Sequence, residues 1–188
     1  MIVPRHRSVR AVTAALIPVV LAGCSVASVA TPDPAAVPDG TLEAAAADAT
    51  GPIVAVGSGQ NAGLGWRYSI YPSGDEWCTQ LEFVEFAAAG CGDLLPADGD
   101  AFGSVGRGEV LGEGVTPIEG IVSGETVTVS LVNEAGFRMP AQLMSLEEAG
   151  LEEQAFIAFV PPDVTFTHVQ ALASSGEILE THELPAQP

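Results

Sequence analysis

Apolar and polar residues alternate in short bursts along most of this chain. From residue 52 onward the apolar positions recur with a period of two, and Gly, Pro, Asp and Asn separate one burst from the next. Residues 65–71, GWRYSIY, are the clearest case: Trp66, Tyr68 and Ile70 fall on one face, and Arg67, Ser69 and Tyr71 on the other. The same pattern predicts strands at 52–58, 77–86, 104–111, 115–122, 126–132, 137–144, 155–160, 164–172 and 177–184. Within 77–86 the apolar phase slips between Phe83 and Val84, which predicts a bulge. Pro140 marks 137–144 as an edge strand or a bulged one. Residues 87–103 read as a Gly/Ala/Asp loop holding Cys91. Only 145–154, SLEEAGLEEQ, has a helical pattern, with Ser145 and Glu148 at capping-box spacing and Gly150 limiting it to a turn or two. Strands recurring about every ten residues predict an all-β fold, an antiparallel immunoglobulin-like β-sandwich around one core.

A faint repeat runs through the second half. GIVSGETVTVSLVNEAG (120–136) parallels AFVPPDVTFTHVQALASSG (158–176): a Val, a short turn with an acid, a strand, then a polar turn ending in Gly. The second copy is longer by two residues. The expectation is two similar β-hairpins that pair within the sandwich.

The first 51 residues follow other rules. Arg5, Arg7 and Arg10 precede an apolar run from Ala11 to Cys24 that contains Pro18 and ends in small residues. The run is shorter than the roughly 20 apolar residues that span a bilayer. A basic start, a short apolar stretch and a small-residue end make a secretory signal peptide. Leu21-Ala22-Gly23-Cys24 resembles the lipobox of bacterial lipoproteins, which implies a signal peptide over 1–23 and a lipid on Cys24. Residues 25–51 hold no aromatic and few large apolar side chains, so 24–51 is expected to be a lipid-anchored flexible linker. About 27 flexible residues have an r.m.s. span of roughly 30 Å. Residues 52–188 form the β-sandwich domain.

Charge narrows the partners. All six basic residues are Arg, and three of them precede Cys24, so the exported chain carries 3 Arg against 24 acidic side chains, a net charge of −21. Such a surface repels phosphates, which argues against nucleic acid. A basic or neutral envelope partner, protein or glycan, remains. With Cys24 lipidated, Cys78 and Cys91 are left as a pair, and an even pair in an oxidising compartment reads as a disulfide.

Trp66-Arg67, Trp77-Cys78, Gly90-Cys91-Gly92 and Val160-Pro-Pro-Asp-Val164, together with the absence of Lys, resemble small exported proteins of high-GC actinobacteria. The resemblance covers roughly residues 52–184. It implies an exported β-sandwich with one disulfide and carries over no active site.

Candidate chemistry is sparse. Downstream of Cys24 the only histidines are His168 and His182, and no Gly-x-Ser-x-Gly elbow occurs. Counted symmetrically about the turn at 174–176, His168 and His182 fall close to opposite each other, and Glu180 or Glu183 would complete a ligand set. They are read as half-exposed surface histidines, with no metal site assigned. Asp93, Asp98 and Asp100 lack calcium-loop spacing. Glu147, Glu148, Glu152 and Glu153 form an acidic face with no opposed partner. Trp66 and Trp77 read as core anchors, and Tyr71 as the place for a stacked ligand. Without a dinucleotide fingerprint or a βαβ unit, no cofactor is expected. The expected function is a membrane-anchored extracytoplasmic lipoprotein with a non-catalytic binding domain and no enzyme activity. The alternative is an envelope hydrolase or metal-dependent enzyme using His168, His182 and nearby carboxylates.

Overall fold

The computed structural model describes residues 46–61, 63–83, 87–109 and 114–185. The signal peptide, Cys24, the linker as far as residue 45 and the Val84 side of the expected bulge lie outside them. Among the described residues the chain forms strands and one three-residue 3-10 turn. No helix among them is long and apolar enough to cross a membrane.

The fold is all-β, antiparallel and sandwich-like, as the alternation predicts, and it has three sheets. The first is a meander of β1 (Val54–Asn61), β2 (Leu64–Ser73), β3 (Glu76–Phe83) and β4 (Ala87–Gly92). The second contains β5 (Phe102–Arg107), β6 (Thr116–Val122), β9 (Gln142–Ser145) and β10 (Gln154–Val160), in the order β5-β6-β10-β9. The third contains β7 (Thr128–Val132), β8 (Arg138–Pro140), β11 (His168–Leu172) and β12 (Ile178–Glu183), in the order β12-β11-β7-β8.

The second sheet lies between two cores, where the sequence suggested one. Ile118, Val122, Phe156, Ala158 and Val160 pack with Val129, Leu131, Val169 and Ala171 of the third sheet. From the opposite face, Ile121, Ala155 and Ile157 pack with Trp66, Tyr68, Ile70, Leu81 and Phe83 of the first. A strand buried on both faces must be apolar at nearly every position, and β10, QAFIAFV, is. Such a strand needs a layer on each side, which is why two sheets do not suffice. Gly120 faces Phe156 in the ladder, and a β-carbon there would lie 2.7 Å from the ring. The missing side chain is what lets that ring into the core.

The repeat is real in topology and differs from the expected hairpins. β6 and β7 lie in different sheets, and so do β10 and β11, so each copy is an arch crossing from the second sheet to the third. The copies pair with each other in both sheets, β6 with β10 and β7 with β11. Hairpins extend the correspondence: β5-β6 and β7-β8 in one unit match β9-β10 and β11-β12 in the other. The two units are therefore related by a pseudo-twofold arrangement of strands.

Three local expectations change. Residues 87–92 form β4 rather than loop, because Cys91 pairs directly with Cys78 and the alanines fill the ladder. The predicted strand 137–144 breaks at Ala141, with β8 on an edge of the third sheet and β9 on an edge of the second. The helical segment shrinks to a 3-10 turn at Glu147–Ala149, closed by Gly150 at φ 80°; Leu146 takes the cap position, and Ser145 Oγ accepts from Glu147 N.

Residues 46–51, from the segment expected to be linker, are tied to the β2–β3 turn. Thr50 N donates to Pro72 O (2.9 Å), Ser73 Oγ to Asp48 O (3.0 Å) and Gly74 N to Thr50 Oγ1 (3.1 Å).

Candidate functional site: an acidic groove

The loop after β4 folds back on the start of β5. Gly103 sits at a register shift in β5, and a β-carbon there would strike the backbone of Leu94–Pro96. The loop is thus held against the strand by backbone contact. Ala101 N and Phe102 N both donate to Glu180 Oε2, at 2.8 and 3.2 Å, which ties the loop to β12. Ser123 N donates to Ala101 O (3.0 Å), and Gln154 Nε2 to Thr126 O (2.7 Å), bringing in the β6–β7 connection and the start of β10.

These ties enclose an open groove of about 660 Å³, walled by residues 96–101, Ser123–Glu125, Glu152, Glu153 and Leu179. Five carboxylates line it: Asp98, Asp100, Glu125, Glu152 and Glu153, with no basic side chain among the lining residues. Asp98, Asp100, Glu152 and Glu153 stand out in the sequence as two separate acidic clusters; the fold brings them to one groove. Glu125 was not singled out, and its place in a turn between two strands carries no distinguishing signal. Apolar side chains are exposed near one wall: Leu179 (39%), Ile178 (45%) and Val127 (56%), with Val127 N bonded to Leu172 O and Leu172 paired with Ile178. Asp93, Glu147 and Glu148 do not line the groove. Among the described residues, no group of three or more His, Cys, Asp or Glu converges to hold a metal ion.

His168 and His182 do not meet. The β11–β12 ladder carries a bulge: Leu172 pairs with Ile178 but Ala171 with Glu180, which leaves Leu179 as the extra residue. One extra residue turns every later side chain to the other face. His182 therefore pairs with Val169 and reaches the Phe102 ring (centroids 6.0 Å), while His168 pairs with Glu183 on the outer face and its Nδ1 lies 2.8 Å from Thr167 Oγ1. The same slip turns Glu180 inward onto the Ala101 and Phe102 amides.

Tyr71, expected to be open to a stacked ligand, is 2% exposed beneath Ala46, Ala49 and Ile53. Trp66 and the partly buried Trp77 do face the core between the first two sheets. The Cys78–Cys91 disulfide joins directly opposed residues of β3 and β4, with Cα atoms 4.0 Å apart.

One buried acid carries no mark except its setting, PIEGIV, a lone carboxyl in an apolar strand. Glu119 Oε2 is sealed from solvent without a hydrogen-bond partner, and Gly106 opposite it has no side chain to offer. Burial pushes this carboxyl up to about 7. Burial first, and then the Glu119 charge, push the Tyr68 phenol above its ordinary range. A second, smaller cavity of about 300 Å³ lies beside Trp66, Met139, Gln142 and Phe159 and has no titratable side chain in its lining.

No family model, curated protein or solved structure matches this chain.

Proposed function

We propose that this chain is a membrane-anchored extracytoplasmic lipoprotein whose sandwich is a non-catalytic recognition module for a cationic segment of an envelope protein. The observation that carries the reading is the groove of five carboxylates with no basic residue in its wall and exposed apolar side chains beside it. Carboxylates that do not converge on a point suit a row of Lys or Arg side chains better than a single ion. The apolar rim suits the residues between them. The net charge of −21 on the exported chain steers such a partner in from a distance. The lipobox-like Leu21–Cys24 supports the anchor.

Binding of a synthetic peptide of alternating Lys and Leu tests the groove. Its affinity falls on raising the salt, because ionic strength of about 0.15 M already screens exposed charges beyond about 8 Å. The triple substitution Asp98→Asn, Glu152→Gln, Glu153→Gln weakens it at least tenfold, whereas Asp75→Asn with Glu76→Gln on the β2–β3 turn leaves it unchanged. A triple variant that binds as tightly as the parent would remove the groove from the reading.

A further inference from the structure

The face of the first sheet that points away from the second is open at its flanks and closed along its middle. One row of the ladder shows this. Ala55 pairs with Ser69, Ser69 with Gln80, and Gln80 with Ala89, so all four share that face. Ala55 and Ala89 are exposed, whereas Ser69 and Gln80 between them are 0% exposed. Glu82, one step along the same face, is also 0% exposed. The closed strip is two strands wide, about 10 Å, which is the width of one extended chain with its side chains or of one helix.

One end of the strip already has its cover. Ala46, Ala49 and Ile53 pack on Tyr71 and Cys78, which pair with each other one step beyond Ser69 and Gln80 on that face. Towards the other end the charges are matched within the sheet. Arg67 Nε donates to Glu82 Oε2 (2.6 Å) and Gln80 Nε2 to Glu82 Oε1 (2.7 Å). Ser69 Oγ and Gln80 Oε1 are buried without a hydrogen-bond partner. A buried polar atom left unpaired costs about 1–3 kcal/mol, so the strip favours an occupant that brings backbone donors and acceptors and small side chains.

We propose that residues 41–45, Thr-Leu-Glu-Ala-Ala, continue upstream from Ala46 along this strip as an intramolecular strap. The distance fits: from the Tyr71–Cys78 pair to the Arg67–Glu82 pair is four strand residues, about 13 Å, which four or five extended residues cover. The chain enters at the end where Ala46 is seated, and its next residues upstream are two alanines. The strap shortens the extendable stalk to residues 25–40, with an r.m.s. span of roughly 22 Å. It also occupies the sheet face that an extended partner would otherwise take. The strip lies on another sheet from the groove, so this inference stands or falls apart from the proposed function.

Glu43 is the first glutamate of the chain and the next is Glu76, so a glutamate-specific endoproteinase reads the strap at one bond. In the exported chain, residues 24–188 with Cys24→Ser, cleavage after Glu43 runs at least tenfold slower than in a synthetic peptide of residues 36–50. Hydrogen exchange, measured on the same protein, is at least tenfold slower at amides 41–45 than at 26–32. Either rate equal to that of the free peptide overturns the strap. Protection that disappears on dilution overturns it as well, because a second copy would then be filling the strip.

Discussion

In an unfolded chain Glu119 titrates near 4.5, and in the folded protein burial holds it near 7. Between those values the folded state keeps a proton that the unfolded state has released. Stability therefore falls as pH rises through this window and levels off above about 7, with a loss on the order of 3 kcal/mol at most. Denaturant unfolding at pH 5 and pH 8 measures this: the parent loses more stability between the two than Glu119→Gln, whose amide does not titrate. Equal losses would place the carboxyl in contact with water. Gly120 offers a second check at this scale. Adding a methyl group presses on the Phe156 ring and on the Ser104 carbonyl, so Gly120→Ala lowers stability by about 1–3 kcal/mol in the same assay.

Among the elements, the Cys78–Cys91 bridge has the most to hold, because β4 pairs only with β3 and its outward alanines bury little. A cross-link closing a loop of 13 residues contributes about 3 kcal/mol in the chain-entropy model. Reduction lowers the denaturant midpoint accordingly and speeds hydrogen exchange in β4, while exchange in β6 and β10 holds. How far each element could be read from sequence follows from its burial. β2 has one face in the core, and its alternation places it well. β4, AAAGCG, has no alternation to read, and only the cysteine count hinted that its chain returns to β3. β8 and β9 read as one strand because a sheet change at a single residue leaves the periodicity intact. The bulge at Leu179 had no Gly or Pro to announce it, and that one residue separates two histidines that symmetric counting puts together. The groove was visible only as scattered acids, because its walls come from three connections far apart in the chain.

At the scale of the whole molecule, the anchor and the body make separable claims. Cys24→Ser moves the protein from the membrane fraction to the soluble one, and labelled palmitate stops attaching, with the sandwich still folded by circular dichroism. The body's own integrity depends on its two interlocked units. Each has only two-stranded ladders to itself, and the central ladders of both sheets, β6 with β10 and β7 with β11, run between units. The chain passes from one unit to the other through Ala141 alone, between β8 and β9. A single backbone cut there would leave both fragments clasped, travelling as one species through a sizing column until denaturant parts them. Produced separately, the pieces would find each other and reassemble, so that continuity of the polypeptide is a convenience of synthesis and the clasp is what keeps the body whole.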